Sequence, residues 1–146
     1  MSNPPRINRE LADLAPAFRI PFLAWLAAAE SVLTHVEFRV TETRRAKERQ
    51  AWLYAQGRQA PFLGAPQRTW TMDSRHRWGL AVDIAMIRKA TGEAIWEISS
   101  WKHLYRVVPL EPYGLKTLAP TEWVHIEHLL SDELIEHAAA VQLVHT

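Results

Sequence analysis

The sequence predicts an α+β fold: one domain over residues 1–146, with a single small antiparallel sheet flanked by helices. Three observations carry this. Val36-Glu37-Phe38-Arg39-Val40 alternates strictly between apolar and polar residues, the mark of a half-buried strand. Helical stretches flank short strands without forming successive strand–helix–strand units. Hydrophobic residues make up 48% of 146, enough to bury a core in one domain of ordinary size.

The elements follow in order. Asp13 is positioned to cap a helix that enters through Pro16 and runs to about Leu33, with Pro21 limiting its early part. After the Val36–Val40 strand, a polar helix spans about Ala46 to Gln56 and is closed by Gly57. Two Pro and one Gly make Ala60–Gln67 a loop. Thr69–Met72 and Leu80–Ala85 read as strands, and Thr91-Gly92 as a turn. Ile98–Val108 is helical and stops at Pro109. Trp123–Ile126 is β-branched and aromatic, hence a strand. Ser131 is placed to cap a last helix through about Leu143, with Asp132 and Glu133 in its first turn.

Composition excludes several classes. Lys and Arg number 17 against 16 Asp and Glu, so the strong basic field of a nonspecific nucleic-acid binder is missing. There is no Cys, which removes disulfides and thiolate-ligated metals. The stretch Ile20–Leu33 holds Pro21 and Glu30 and is too short to span a bilayer. Met-Ser-Asn-Pro-Pro-Arg at the N-terminus lacks the pattern of a signal peptide. The expectation is a monomer made in the cytoplasm, without stable membrane insertion and without nucleic acid as a partner.

Chemistry concentrates in two segments. In Ser74-Arg75-His76-Arg77-Trp78-Gly79-Leu80-Ala81-Val82-Asp83, an imidazole and a carboxylate lie seven positions apart. A straight strand would separate them by ~23 Å at ~3.3 Å per residue. Sharing an ion therefore demands a bend, and Gly79 has the backbone freedom to provide it. The second segment, Glu122-Trp123-Val124-His125-Ile126-Glu127-His128, places a carboxylate three residues before a histidine. His76, Asp83 and His125 make a three-ligand N/O set of the kind a catalytic zinc requires, and Glu122 remains as a base. Glu127 shares the face of His125 on a strand and is an alternative base. His128 replaces His125 as ligand if the segment is helical. His35, His103, His137 and His145 read as surface residues, and the seven Trp mostly as core.

Ser74-x-His76-x-x-Gly79-x-Ala81-x-Asp83 followed by Glu122-x-x-His125 resembles the signature of the M15 zinc peptidases. These include D-Ala-D-Ala carboxypeptidases and dipeptidases and the L-alanyl-D-glutamate endopeptidases of phage endolysins. Ile7–Leu14, Glu42–Arg58 and Tyr113-Gly114-Leu115 are similar to other parts of that family. The resemblance implies a hedgehog or D-Ala-D-Ala-peptidase-like fold, Zn2+ at His76, Asp83 and His125, and Glu122 as catalytic base. It also implies a substrate-facing arginine at Arg45. Arg44 stands where an aromatic residue commonly precedes that arginine, so Arg44 is the other candidate. Ser74 either bonds substrate or orients His76, and Trp78 either walls the cleft or packs in the core.

The implied substrate is the stem peptide of peptidoglycan, cut at the L-Ala–D-Glu bond in a bacteriolytic, endolysin-like role on the cell wall after release. The alternatives are a D-Ala-D-Ala carboxypeptidase on the same site and a non-catalytic zinc module that binds wall peptides.

Overall fold

The computed structural model describes residues 4–58, 63–64 and 75–137. Helix α1 (Pro16–Val32) forms where Pro16 pre-sets the backbone of the first turn. It buries Phe18, Phe22, Trp25 and Ala29, an apolar stripe at helical spacing. Pro21 lies within it without ending it. Asp13 does not cap α1, contrary to expectation. It sits in a 3-10 turn, Leu11–Asp13, and accepts from Asn8 Nδ2 at 3.0 Å, while Ala15 occupies the cap position.

Strand β1 (Val36–Glu42) and helix α2 (Lys47–Ala55) follow. Strand β2 (Ala81–Arg88) is three residues longer at its C-terminal end than expected, because Ile87 goes on to bridge Ala94 after the turn at Gly92. Helix α3 spans Ile98–Val107. The short strand β3 (Leu115–Leu118) has no counterpart in the sequence reading. Strand β4 (Glu122–His128) includes the expected Trp123–Ile126. The last helix, α4, is described over 131–137. Ser131 lies inside its first turn, and its hydroxyl donates to Glu127 rather than capping the helix. The strand expected at Thr69–Met72 and most of the Ala60–Gln67 loop fall outside the described residues. Among the described residues no helix is long and apolar enough to cross a membrane.

The four strands form one antiparallel sheet, as expected, and its order is β1-β2-β4-β3. Its two faces diverge because side chains alternate along each strand. Val82, Ile84 and Met86 of β2 and Ile126 of β4 join Phe18, Phe22, Trp25, Trp101 and Leu104 in the apolar core. Each large side chain buried there contributes roughly 1.5–3 kcal/mol. The buried indoles keep polar partners: Trp25 Nε1 donates to Val108 O at 2.8 Å and Trp101 Nε1 to Ile95 O at 3.1 Å. The opposite parity carries Asp83, His125 and Glu127. Asp83 and His125 are direct cross-strand partners.

The ladder is irregular on both sides of that pair. Between β1 and β2 the register runs from Val40↔Ile84 to Glu42↔Asp83, so Thr41 is extra. Between β3 and β4 it jumps from Thr117↔Ile126 to Leu118↔Glu122, which leaves Trp123, Val124 and His125 bulged. Bulges re-aim side chains. Here they break strict alternation beside Asp83.

Candidate metal centre

The turn that carries His76 is a 3-10 turn, Arg75–Trp78, followed by Gly79 at φ 69°. A Cβ on Gly79 would stand 2.8 Å from Ala15 N and 3.1 Å from Asp13 O. The position therefore needs glycine twice over: for its left-handed backbone and for the close approach of the N-terminal segment. Ala15 N donates to Gly79 O at 3.0 Å and locks that approach. The chain then enters β2, and the bend expected between His76 and Asp83 is in place.

His76 and His125 are buried, and Asp83 is half-buried. His76 Nε2 lies 3.2 Å from Asp83 Oδ1, and His125 Nδ1 lies 3.3 Å from the same oxygen. The ligand atoms of the three residues all fall within 4.8 Å of one another. Two ligands at ~2.0–2.1 Å from a tetrahedral zinc are ~3.3 Å apart. The two short edges thus match a coordination tetrahedron, and the His2Asp donor set suits zinc. The residues present fit such an ion.

The outer ring nitrogens are also engaged. His76 Nδ1 lies 2.8 Å from Thr43 O, a pure acceptor, so Nδ1 carries the hydrogen and Nε2 presents its lone pair to the centre. The amide of Arg45 holds the carbonyl of His76 at 2.7 Å. His125 Nε2 lies 3.0 Å from Glu127 Oε1. Burial opposes charge on Asp83, but hydrogen bonds from His125 and His76 hold its carboxyl well below the usual carboxylate range. Burial also works against a charged His125, yet its bonds to Asp83 and Glu127 push it up to about 9. At neutral pH a proton on Nδ1 therefore points where a metal ion would sit, and ion uptake must displace it.

Glu122 opens β4, 43% exposed, with Oε2 3.8 Å from His125 Nδ1. It reaches the ligands from the solvent side through the bulge. Glu127, the other base considered, is only 2% exposed and is consumed by His125 and Ser131. His128 falls on the other strand face, and its Nδ1 accepts from Leu130 N. Arg45 is buried: its Nη1 donates to Gln50 Oε1 at 2.9 Å and its Nη2 to Glu42 Oε1 at 2.6 Å. Its Nε is buried without a partner among the described residues. Arg44 is exposed. Trp78 is half-buried and packs against the apolar core, with the Arg77 guanidinium 5.8 Å from its ring. Ser74 lies outside the described residues.

Sequence reasoning did not find the partners of the two imidazoles. The Thr43 carbonyl is a backbone atom with no residue signature. Glu127 was visible as a neighbour of His125 on the same face, which signalled proximity but not its role.

No protein-family model matches the chain, and no curated protein sequence does. Solved structures do. The L-Ala D-Glu endopeptidase ChiX of Serratia marcescens aligns over 84% of this chain and 86% of its own, with TM-score 0.60 and 19% identity. VanYB in complex with D-Alanine-D-Alanine aligns over 91% and 84%, with TM-score 0.51 and 15% identity. A mutant of the vancomycin-resistance D,D-pentapeptidase VanY in complex with Zn(II) aligns over all of this chain and 82% of its own, with TM-score 0.50 and 18% identity. This chain has the fold of those peptidases, and on that fold it brings together a His-Asp-His group able to hold a metal ion.

Proposed function

We propose that residues 1–146 form one zinc-dependent peptidase domain of the M15 type that hydrolyses the stem peptide of peptidoglycan. The observation that carries this reading is the convergence of His76, Asp83 and His125 with the open carboxylate Glu122 beside them. A module that only bound wall peptides would have no use for a solvent-side base there.

His76, Asp83 and His125 would hold the ion. Zinc, when bound, supplies Lewis acidity toward a peptide carbonyl and toward water. Glu122 takes the proton from the attacking water and delivers it to the leaving amine, help typically worth ~10²–10⁴ in rate. Arg45 supplies a guanidinium for the carbonyl oxygen of the substrate, since it cannot lose its proton and Glu42 and Gln50 brace its two terminal nitrogens. Ser74 and Trp78, each two positions from His76 in the sequence, are assigned to substrate contact.

For the scissile bond we favour L-Ala–D-Glu, in a bacteriolytic, endolysin-like role. Support comes from the ChiX likeness, which covers more than four-fifths of both chains. The second reading, a carboxypeptidase removing terminal D-Ala, is supported by the likeness to VanYB bound to D-Alanine-D-Alanine. Mass analysis of muropeptides digested by the zinc-loaded protein separates them. The expected products are free of L-Ala–D-Glu linkage, and Glu122→Gln should retain zinc yet turn over at least a hundredfold more slowly. Release of D-Ala alone would reject the endopeptidase assignment. A Glu122→Gln protein as active as the parent would reject the base.

A further inference from the structure

Glu127 has the least exposed carboxylate around the centre, and the hydrolytic reading gives it no task. It is 2% exposed on β4. One oxygen, Oε1, faces His125 Nε2 at 3.0 Å. The other, Oε2, accepts from Ser131 Oγ at 2.6 Å, with Arg75 Nε and Lys116 Nζ each 3.7 Å away. Arg75 belongs to the His76 turn and is also paired with Asp132 of α4. Lys116 belongs to β3. The carboxylate is therefore gripped from the turn, from the sheet edge and from the first turn of the last helix.

A carboxylate can only accept at Oε1. It thereby fixes the hydrogen of His125 on Nε2, turns the ring, and leaves Nδ1 as the atom facing Asp83. Two nearby cations and a hydroxyl donor keep Glu127 anionic and stationary.

We infer that Glu127 is the positioning residue for His125 and that the first turn of α4, through Ser131 and Asp132, is part of the support of the metal centre. The inference rests on the three-ligand reading and adds to it a role for the C-terminal helix. It predicts that metal affinity depends on a residue that no ion touches.

The test uses the full chain and zinc alone, with affinity measured by competition against a chelating dye. Glu127→Gln keeps an oxygen acceptor but loses the charge, and should weaken zinc ~10–100-fold. Ser131→Ala should weaken it about fivefold, and serves as the informative variant if Glu127→Gln does not fold. Glu133→Gln, exposed on the same helix, should change nothing. In the zinc-loaded parent, nitrogen NMR of the His125 ring should show a protonated Nε2 and a ligating Nδ1, a signature that Glu127→Gln perturbs and a purely structural role would leave alone. Parent and folded variants binding zinc within twofold of one another, with the same ring signature, overturn the role of Glu127 alone. A parent chain that takes up no zinc overturns the metal reading beneath it.

Discussion

Glu42 and Asp83 are cross-strand neighbours in the same sheet, yet each carboxylate meets a different solution to burial. Glu42 draws its counter-charge from the chain itself. Arg45 Nη2 lies at 2.6 Å and Arg49 Nε at 2.5 Å, all three groups being buried. Among the described residues Asp83 faces two imidazoles, at 3.2 and 3.3 Å, each with its outer nitrogen turned to a separate acceptor. The first cluster sets two guanidinium groups against one carboxylate, so Glu42 needs no cation from outside. In the second, Arg75 and Lys116 stand beside Glu127, but among the described residues no Lys or Arg pairs with Asp83 or Glu122. A cation from outside could complete it. A buried carboxylate is read by what balances it: arginines mark a charge already met within the chain, and imidazoles with oriented outer nitrogens mark a place able to take a cation.

The largest effect that would break this contrast is the loss of the Glu42 charge. Glu42→Gln leaves Arg45 and Arg49 buried against a neutral amide, and should cost about 3–5 kcal/mol in chemical denaturation. The pH dependence follows the same charge. Burial raises the Glu42 pKa, but the hydrogen bonds from Arg45 and Arg49 outweigh it and leave the carboxyl below its ordinary 4.5. Its folded-state pKa is depressed, so its contribution is complete above about 4.5 and is lost as pH falls through the lower, folded value. The parent should therefore lose stability in acid more steeply than Glu42→Gln does. Equal acid slopes would show that the pair contributes nothing through its charge.

A smaller effect sharpens the contrast from the other side. Gly79→Ala should cost about 1–3 kcal/mol, because alanine resists φ 69° and its Cβ would press on Ala15 and Asp13. The strain falls on the His76 turn, so zinc affinity should drop while the acid slope owed to Glu42 stays as in the parent. Unchanged stability would mean that the turn can relax, and that its glycine does not fix His76.

Much of this was legible in the residues, for physical reasons that also mark where legibility ends. The alternation Val36–Val40 exposed a strand because one of its faces is wet. The need for a bend between His76 and Asp83, and glycine as its means, followed from the reach of a strand. His76, Asp83 and His125, which the fold brings together, could be named because their residue types are those that metal chemistry needs. Strand β3 escaped because Leu115-Lys116-Thr117-Leu118 is four residues long, and its pairing with β4 is a tertiary fact. Asp13 looked like a helix cap, but its carboxylate had a competing local donor in Asn8. Ser131 looked like another, and Glu127 won its hydroxyl. Arg45 was visible as a cation, whereas the bulge at Thr41 precedes the Glu42 that grips it and left no trace in the spacing. Side-chain identity announces chemistry, but the partners that orient it arrive from backbone atoms and from distant elements.

The most direct test is a calorimetric zinc titration of the parent, repeated for Asp83→Asn, at several pH values. One ion should bind per chain, with release of at least one proton below pH 9 because His125, raised to about 9, must give up its Nδ1 proton. Affinity should then rise with pH across that range, and Asp83→Asn should weaken it by an order of magnitude or more. An absence of zinc uptake, or uptake that neither depends on pH nor responds to Asp83→Asn, would contradict a shared ion at His76, Asp83 and His125.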